Sequence, residues 1–129
     1  MSIFTKIITG EIPSYKVAED ANFIAFLDIN PNAKGHTLVV PKKEENKIFD
    51  LSLEEYKNLM VLSYRVAKAL EKAVPCQRIG MSVIGLEVPH VHVHLVPTSK
   101  MVDMQFTHKV KLTSDEFVVL AEKISRNFE

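Results

Sequence analysis

The stretch Pro89-His90-Val91-His92-Val93-His94-Leu95-Val96-Pro97 decides how this chain is read. Side chains alternate across an extended strand, so imidazoles at every second position share one face. Val91, Val93 and Leu95 share the other face, which reads as core. Strand surfaces ordinarily favour Thr, Tyr and β-branched residues, so adjacent histidines need a reason. Imidazole has an unperturbed pKa of about 6.5, which suits it to act as base, acid, nucleophile or metal ligand near neutral pH. The chain has 5 histidines, and most of them are gathered here.

On either side of this stretch the pattern predicts short strands at Tyr15–Ala18, Phe23–Ile29, Thr37–Val40 and Arg78–Ile84, with the histidines on His90–Val96. Turn signals at Glu19-Asp20-Ala21-Asn22 and Asn30-Pro31-Asn32-Ala33-Lys34-Gly35 separate the first three. Ile3, Phe4, Ile7 and Ile8 have helical spacing within Ser2–Thr9, a short amphipathic helix ending at Gly10. A long helix is predicted over Leu53–Ala73. Ser52 and Glu55 form its capping box, Tyr56, Leu59, Met60, Val66, Ala67 and Leu70 recur at helical spacing, and Pro75 stops it. Thr113 and Glu116 form a second capping box ahead of a C-terminal helix at about residues 114–127, which carries Phe117, Leu120, Ala121 and Ile124. Strands outnumber helices and are joined by short turns, which implies an antiparallel α+β arrangement.

A length of 129 residues suggests one domain over 1–129, with enough chain to bury its own core. The 47% hydrophobic and 25% charged composition is that of a soluble globular protein. With 16 basic and 16 acidic residues the formal charge is zero, which argues against a nucleic-acid partner. No apolar run reaches the roughly 18 residues needed to span a bilayer, so no membrane partner is expected. The N-terminus lacks the order of a signal peptide, and a single cysteine, Cys76, forms no intrachain disulfide. A cytoplasmic location is the expectation. Nothing near Cys76 marks it as an activated thiol.

Three chemistries fit the histidine stretch. The imidazoles can be a polar strand face or satisfied core groups. They can be metal ligands, with a further ligand from Asp28, Glu87, His36 or His108. They can carry nucleophilic catalysis, one ring attacking while its neighbours bind an anion and assist the leaving group. Strict alternation of three histidines favours the last.

His90-Val91-His92-Val93-His94-Leu95-Val96 matches at every position the His-φ-His-φ-His-φ-φ signature, φ being apolar, and so resembles the histidine triad family. The likeness extends to Ile3-Phe4 through Pro13, to Glu19-Asp20, to Phe26-Leu27-Asp28-Ile29-Asn30-Pro31 and to Gly35-His36-Thr37-Leu38-Val39-Val40-Pro41-Lys42. It covers residues 2–97 and is nearest to the nucleoside phosphoramidate hydrolase branch. Residues 98–129 form a C-terminal extension outside it, with no functional reading.

The resemblance implies a histidine-triad fold: a five-stranded antiparallel sheet per subunit, one long helix, a short N-terminal helix and the added C-terminal helix. It implies a homodimer, no cofactor, and a nucleotide substrate, purine by the family pattern. The residues themselves leave base and leaving group open. By the same pattern His92 attacks the α-phosphorus to give a nucleotidyl-histidine intermediate, and His94 contacts the phosphoryl and leaving groups. His90 orients His92 in part through its carbonyl, and His36 stands beside the triad. Asp28 holds the ribose hydroxyls, and Ile3, Phe4, Ile7, Phe26, Ile29 and Leu38 wall the base. From the residues alone, those six are equally core positions and Asp28 is equally a turn former.

Two departures stand out. Where the family has Gly-Gln and polar residues near the phosphate before the first histidine, this chain has Gly85-Leu86-Glu87-Val88-Pro89. Strand alternation would turn Glu87 away from the triad, but Pro89 breaks that regularity, so Glu87 can face the phosphate, solvent or a lysine, or tune the choice of leaving group. An acidic group at the phosphate would repel the substrate, so a catalytically weak nucleotide-binding module is the alternative function. An upstream asparagine loop is replaced by Met81-Ser82-Val83-Ile84. Secondly, the zinc-binding Cys-x-x-Cys and histidine of some bacterial relatives are Ser2, Thr5 and Glu44 here. With no thiolate, no structural metal is expected.

Overall fold

A computed structural model describes residues 1–129. The chain runs through α1 (Ile3–Ile8), β1 (Lys16–Glu19), β2 (Phe23–Leu27), β3 (Thr37–Pro41), α2 (Leu53–Ala73), β4 (Arg78–Ser82), β5 (Val93–Thr98) and α3 (Ser114–Arg126). Single 3-10 turns lie at Ile48–Asp50 and Met101–Met104. The strands form one sheet in the order β1-β2-β3-β5-β4, with every neighbouring pair antiparallel. None of the helices is long and apolar enough to cross a membrane.

Both expected capping boxes form. The Ser52 and Thr113 hydroxyls accept the backbone N–H groups of Glu55 and Glu116, whose carboxylates accept the N-cap N–H groups in return. α2 buries Leu59, Leu62, Val66, Ala69, Leu70 and Ala73 in a cluster with Ala25, Leu27, Val39, Val91, Val93 and Leu95. α3 adds Phe117, Leu120, Ala121 and Ile124 to the same cluster. Burial of each large side chain contributes about 1.5–3 kcal/mol. Two helices thus cover one sheet face.

The other face holds a smaller cluster, in which Phe4 of α1 joins Ile24, Phe26, Leu38 and Val40. Register places Phe26 opposite Leu38, Leu38 opposite His94, and His94 opposite Ser82. Directly opposed residues lie on one face, so this row across four strands sets His94 beside the smaller cluster.

The histidine strand starts at Val93 rather than His90. The backbone N–H of His90 bonds to the Val88 carbonyl and that of Val91 to the Glu45 carbonyl, which keeps residues 90–92 outside the ladder. Alternation nevertheless persists, with Val91 in the main core and the His90 and His92 rings against Phe4. β2 stops at Leu27, two residues short of the expected end. The Asp28 N–H bonds to the His36 carbonyl and the Asp28 carboxylate accepts the Asn30 N–H, which starts a turn. β4 likewise ends at Ser82 rather than Ile84, and β1 lies one residue later than expected.

Candidate active site

His90, His92 and His94 are all buried, as is His36. Their hydrogen-bond partners determine which ring nitrogen carries the proton in each neutral ring. His92 Nδ1 lies 2.7 Å from the His90 carbonyl, an acceptor, so Nδ1 holds the hydrogen and Nε2 keeps a free lone pair. His36 Nδ1 accepts the Asn32 backbone N–H at 3.0 Å, so its hydrogen is on Nε2. That Nε2–H donates to His94 Nδ1 at 3.0 Å, leaving the His94 hydrogen on Nε2. Adjacent rings therefore present one nucleophilic nitrogen and one N–H donor. They pack edge to face, with His92 and His94 centroids 4.7 Å apart and interplanar angle 69°.

His90 has a different part. Its Nε2–H donates to the Pro41 carbonyl at 2.8 Å, and its Nδ1 accepts the Ser2 hydroxyl at 2.6 Å. Ser2 Oγ also accepts the Thr5 N–H. Glu44 Oε1 accepts both the Ser2 N–H and the Thr5 hydroxyl at 2.6 Å. These bonds draw the Glu44 carboxyl down to about 2, the Thr5 hydroxyl contributing most. At Ser2, Thr5 and Glu44 there is thus a hydroxyl and carboxylate network that fixes His90. Oxygen donors already engaged with one another do not fit a structural zinc, which favours thiolate and imidazole.

Burial governs the titration of the site. It holds His36 down to about 3, helped by the charges of His94, Lys109 and His92. It holds His94 down to about 4, helped by His92 and Lys109. His92 is also lowered by burial, but its bond to the His90 carbonyl and the nearby Asp28 oppose that shift. Burial raises Asp28, against the Asn30 N–H, Lys109 and His92. Asp28 Oδ2 is 3.6 Å from His36 Nε2, and with His36 neutral this is no ion pair. Asp28, His36 and His94 each offer one atom within 4.8 Å of the others, the one group in the chain with metal-ligand spacing. Its two facing imidazole nitrogens share a hydrogen bond that a cation would have to break.

The expected base walls divide in two. Phe4, Phe26 and Leu38 are buried in one cluster with Ile7 packed on it, and the Phe4 and Phe26 rings meet edge-on at 5.8 Å. Ile3 and Ile29 are exposed, at 48% and 72%. Glu87 lies on an exposed turn without hydrogen bond or ion pair, and His108 is also exposed. Sequence reasoning missed three neighbours of the histidines. Asn32, 1% exposed, holds His36, and only its place in the Asn-Pro-Asn turn hinted at it. Ser82, opposite His94, has a buried hydroxyl with no hydrogen-bond partner. The Phe106 ring meets His94 edge-on, with centroids 4.7 Å apart.

A four-histidine cluster with one free nucleophilic nitrogen, on the face of a five-stranded antiparallel sheet opposite α2 and α3, defines a class. The chain belongs to the HIT domain family, whose profile matches residues 9–101. It is 34% identical over 134 residues to a HIT-like protein of Borreliella burgdorferi, covering 97% of this chain and 96% of that one. It is 43% identical over 97 residues to an adenosine 5′-monophosphoramidase of Saccharomyces cerevisiae, covering 74% of this chain and 61% of that one. The crystal structure of a Hit-like protein from Bartonella henselae superimposes with a TM-score of 0.86 at 32% identity, covering 98% of this chain and 96% of that one.

Proposed function

We propose that this histidine triad hydrolase cleaves the phosphorus–nitrogen bond of nucleoside 5′-phosphoramidates through a nucleotidyl-histidine intermediate on His92. The observation that carries it is the His92 Nδ1–H bond to the His90 carbonyl, which leaves Nε2 unprotonated and more nucleophilic. His92 Nε2 attacks the α-phosphorus. The His94 Nδ1 already accepts the His36 Nε2–H, so His94 stays neutral and its Nε2–H bonds the phosphoryl oxygen beside the leaving group. The substrate nitrogen takes a proton from solvent, and as the P–N bond breaks it departs as the neutral amine. Water then attacks phosphorus, gives a proton to solvent, and releases the nucleoside monophosphate and free His92.

Asp28 accepts the ribose hydroxyls, while Phe4, Phe26, Leu38, Ile7, Ile3 and Ile29 wall a purine base. Glu87 stays in water at the rim, where screening leaves it little effect on a bound phosphate. We also propose a cytoplasmic homodimer joined through the β4 edge, where Met81 and Ile84 are exposed, and the α2 surface bearing Val61 and Tyr64. The test of function is steady-state hydrolysis of adenosine 5′-phosphoramidate. His92→Asn is expected to lower kcat by at least about a thousandfold while AMP binding stays within a few-fold, since only the nucleophile is lost. Equal, slow rates in both proteins would instead favour the nucleotide-binding module.

A further inference from the structure

The segment between the 3-10 turn at Met101–Met104 and α3 has no part in the chemistry above, yet it touches the site. Phe106 packs edge-on against His94 at 4.7 Å and His36 at 6.0 Å between centroids. It does so with φ of 61°, in the left-handed region that a bulky side chain avoids. Bonds on both sides hold it there. The Val110 N–H reaches the Pro31 carbonyl, and the Asp103 carbonyl accepts from Asn32 Nδ2.

Three residues beyond Phe106, the Lys109 ammonium sits 5.2 Å from the Phe106 ring centroid and donates to Asn32 Oδ1 at 2.7 Å. Asn32 is the residue whose backbone N–H fixes His36. Lys109 is half-buried and forms no salt bridge, so its direct partners are a neutral amide and an aromatic ring. Its field reaches Asp28, His36 and His94.

Ring contacts run from Phe4 to His92 (4.9 Å), His92 to His94 (4.7 Å) and His94 to Phe106 (4.7 Å), and Lys109 follows Phe106. Phe4, which belongs to the apolar cluster, begins this chain of contacts, and the cation ends it. With phosphorus on His92 and the departing atom at His94, a group beyond His94 faces the leaving group. We propose that Lys109 is a specificity-determining residue that favours nucleotidyl substrates whose leaving group carries an anion. That anion would be the carboxylate of an amino acid or a further phosphoryl group. This rests on the nucleotidyl-transfer function given above.

The experiment compares kcat/KM for adenosine 5′-phosphoryl-N-alanine with that for its alaninamide counterpart, which has the same shape without the charge, and includes ATP as the phosphate arm. Wild type is expected to prefer the carboxylate at least about tenfold, as a charge-assisted bond predicts. Lys109→Met should bring that ratio near one, and Lys109→Arg should keep it. Selective loss on ATP in Lys109→Met instead assigns the phosphoryl group as the anion. Equal losses on all compounds, with the ratios intact, would mean that Lys109 only tethers Asn32 and would overturn the proposal. Equilibrium binding of the same alanine pair to His92→Asn repeats the comparison without turnover. There, a charge preference that vanishes in His92→Asn/Lys109→Met supports the role of Lys109 even if hydrolysis fails. No preference in either assay overturns it.

Discussion

His36 and His94 stand neutral in the folded chain because burial disfavours the imidazolium, and this has a consequence for stability. Their folded values, about 3 and about 4, lie below the ordinary 6.5. Between those limits the unfolded chain binds protons that the folded chain refuses, so this stability is complete above pH 6.5 and is lost as pH falls toward 3. Urea midpoints measured at about pH 7 and about pH 4.5 should show a clear drop, and His36→Gln should shrink it, since the linkage runs through the imidazole. A midpoint difference unchanged in His36→Gln would contradict the assignment. Ser2 makes a second case. Ser2→Ala removes the donor to buried His90 Nδ1 and the N-cap of α1 together. A loss of about 1–3 kcal/mol in denaturant unfolding is expected from the orphaned nitrogen and the missing cap. At this scale the sequence was informative about His90, His92, His94 and His36, since their type and spacing are local facts. It was silent on Asn32, Ser82 and Phe106, because each acquires its role from a neighbour 4 to 71 positions away that only folding supplies.

The elements were legible where a cap or a breaker is written into the chain. Ser52, Glu55 and Pro75 bound α2, and Thr113 with Glu116 starts α3, because capping bonds are made within one turn. Strand ends were less legible. The amides of His90, Val91 and Asp28 bond to Val88, Glu45 and His36, and nothing local distinguishes those partners from a ladder. Gly35, ahead of β3, shows how tightly the elements meet. It adopts φ of 97°, and an added Cβ would lie 3.0 Å from both Pro97 and Val74 side chains. Gly35→Ala should therefore destabilise by about 1–3 kcal/mol from backbone strain and overpacking, read as a lower urea midpoint with unchanged slope. No loss would mean that the turn relaxes freely.

At the scale of the molecule, the sheet divides the work between its faces. Two helices bury one face, while the other keeps a small apolar cluster beside four histidines, so the proposed catalytic groups sit on one strand and the buried loops next to it. The β4 edge and the exposed part of α2 await a partner in the proposed homodimer. Light scattering at micromolar concentration should give twice the chain mass of 14.6 kDa, and Met81→Lys should shift it toward the monomer. A monomeric wild type would contradict that assembly. The central claim concerns covalent chemistry on one nitrogen, and intact-protein mass after brief exposure to adenosine 5′-phosphoramidate tests it most directly. Wild type and His94→Ala should gain the mass of one adenylyl group, and His92→Asn should gain none. An adduct that survives in His92→Asn, or hydrolysis to AMP with no adduct under rapid quench, would contradict His92 as the nucleophile.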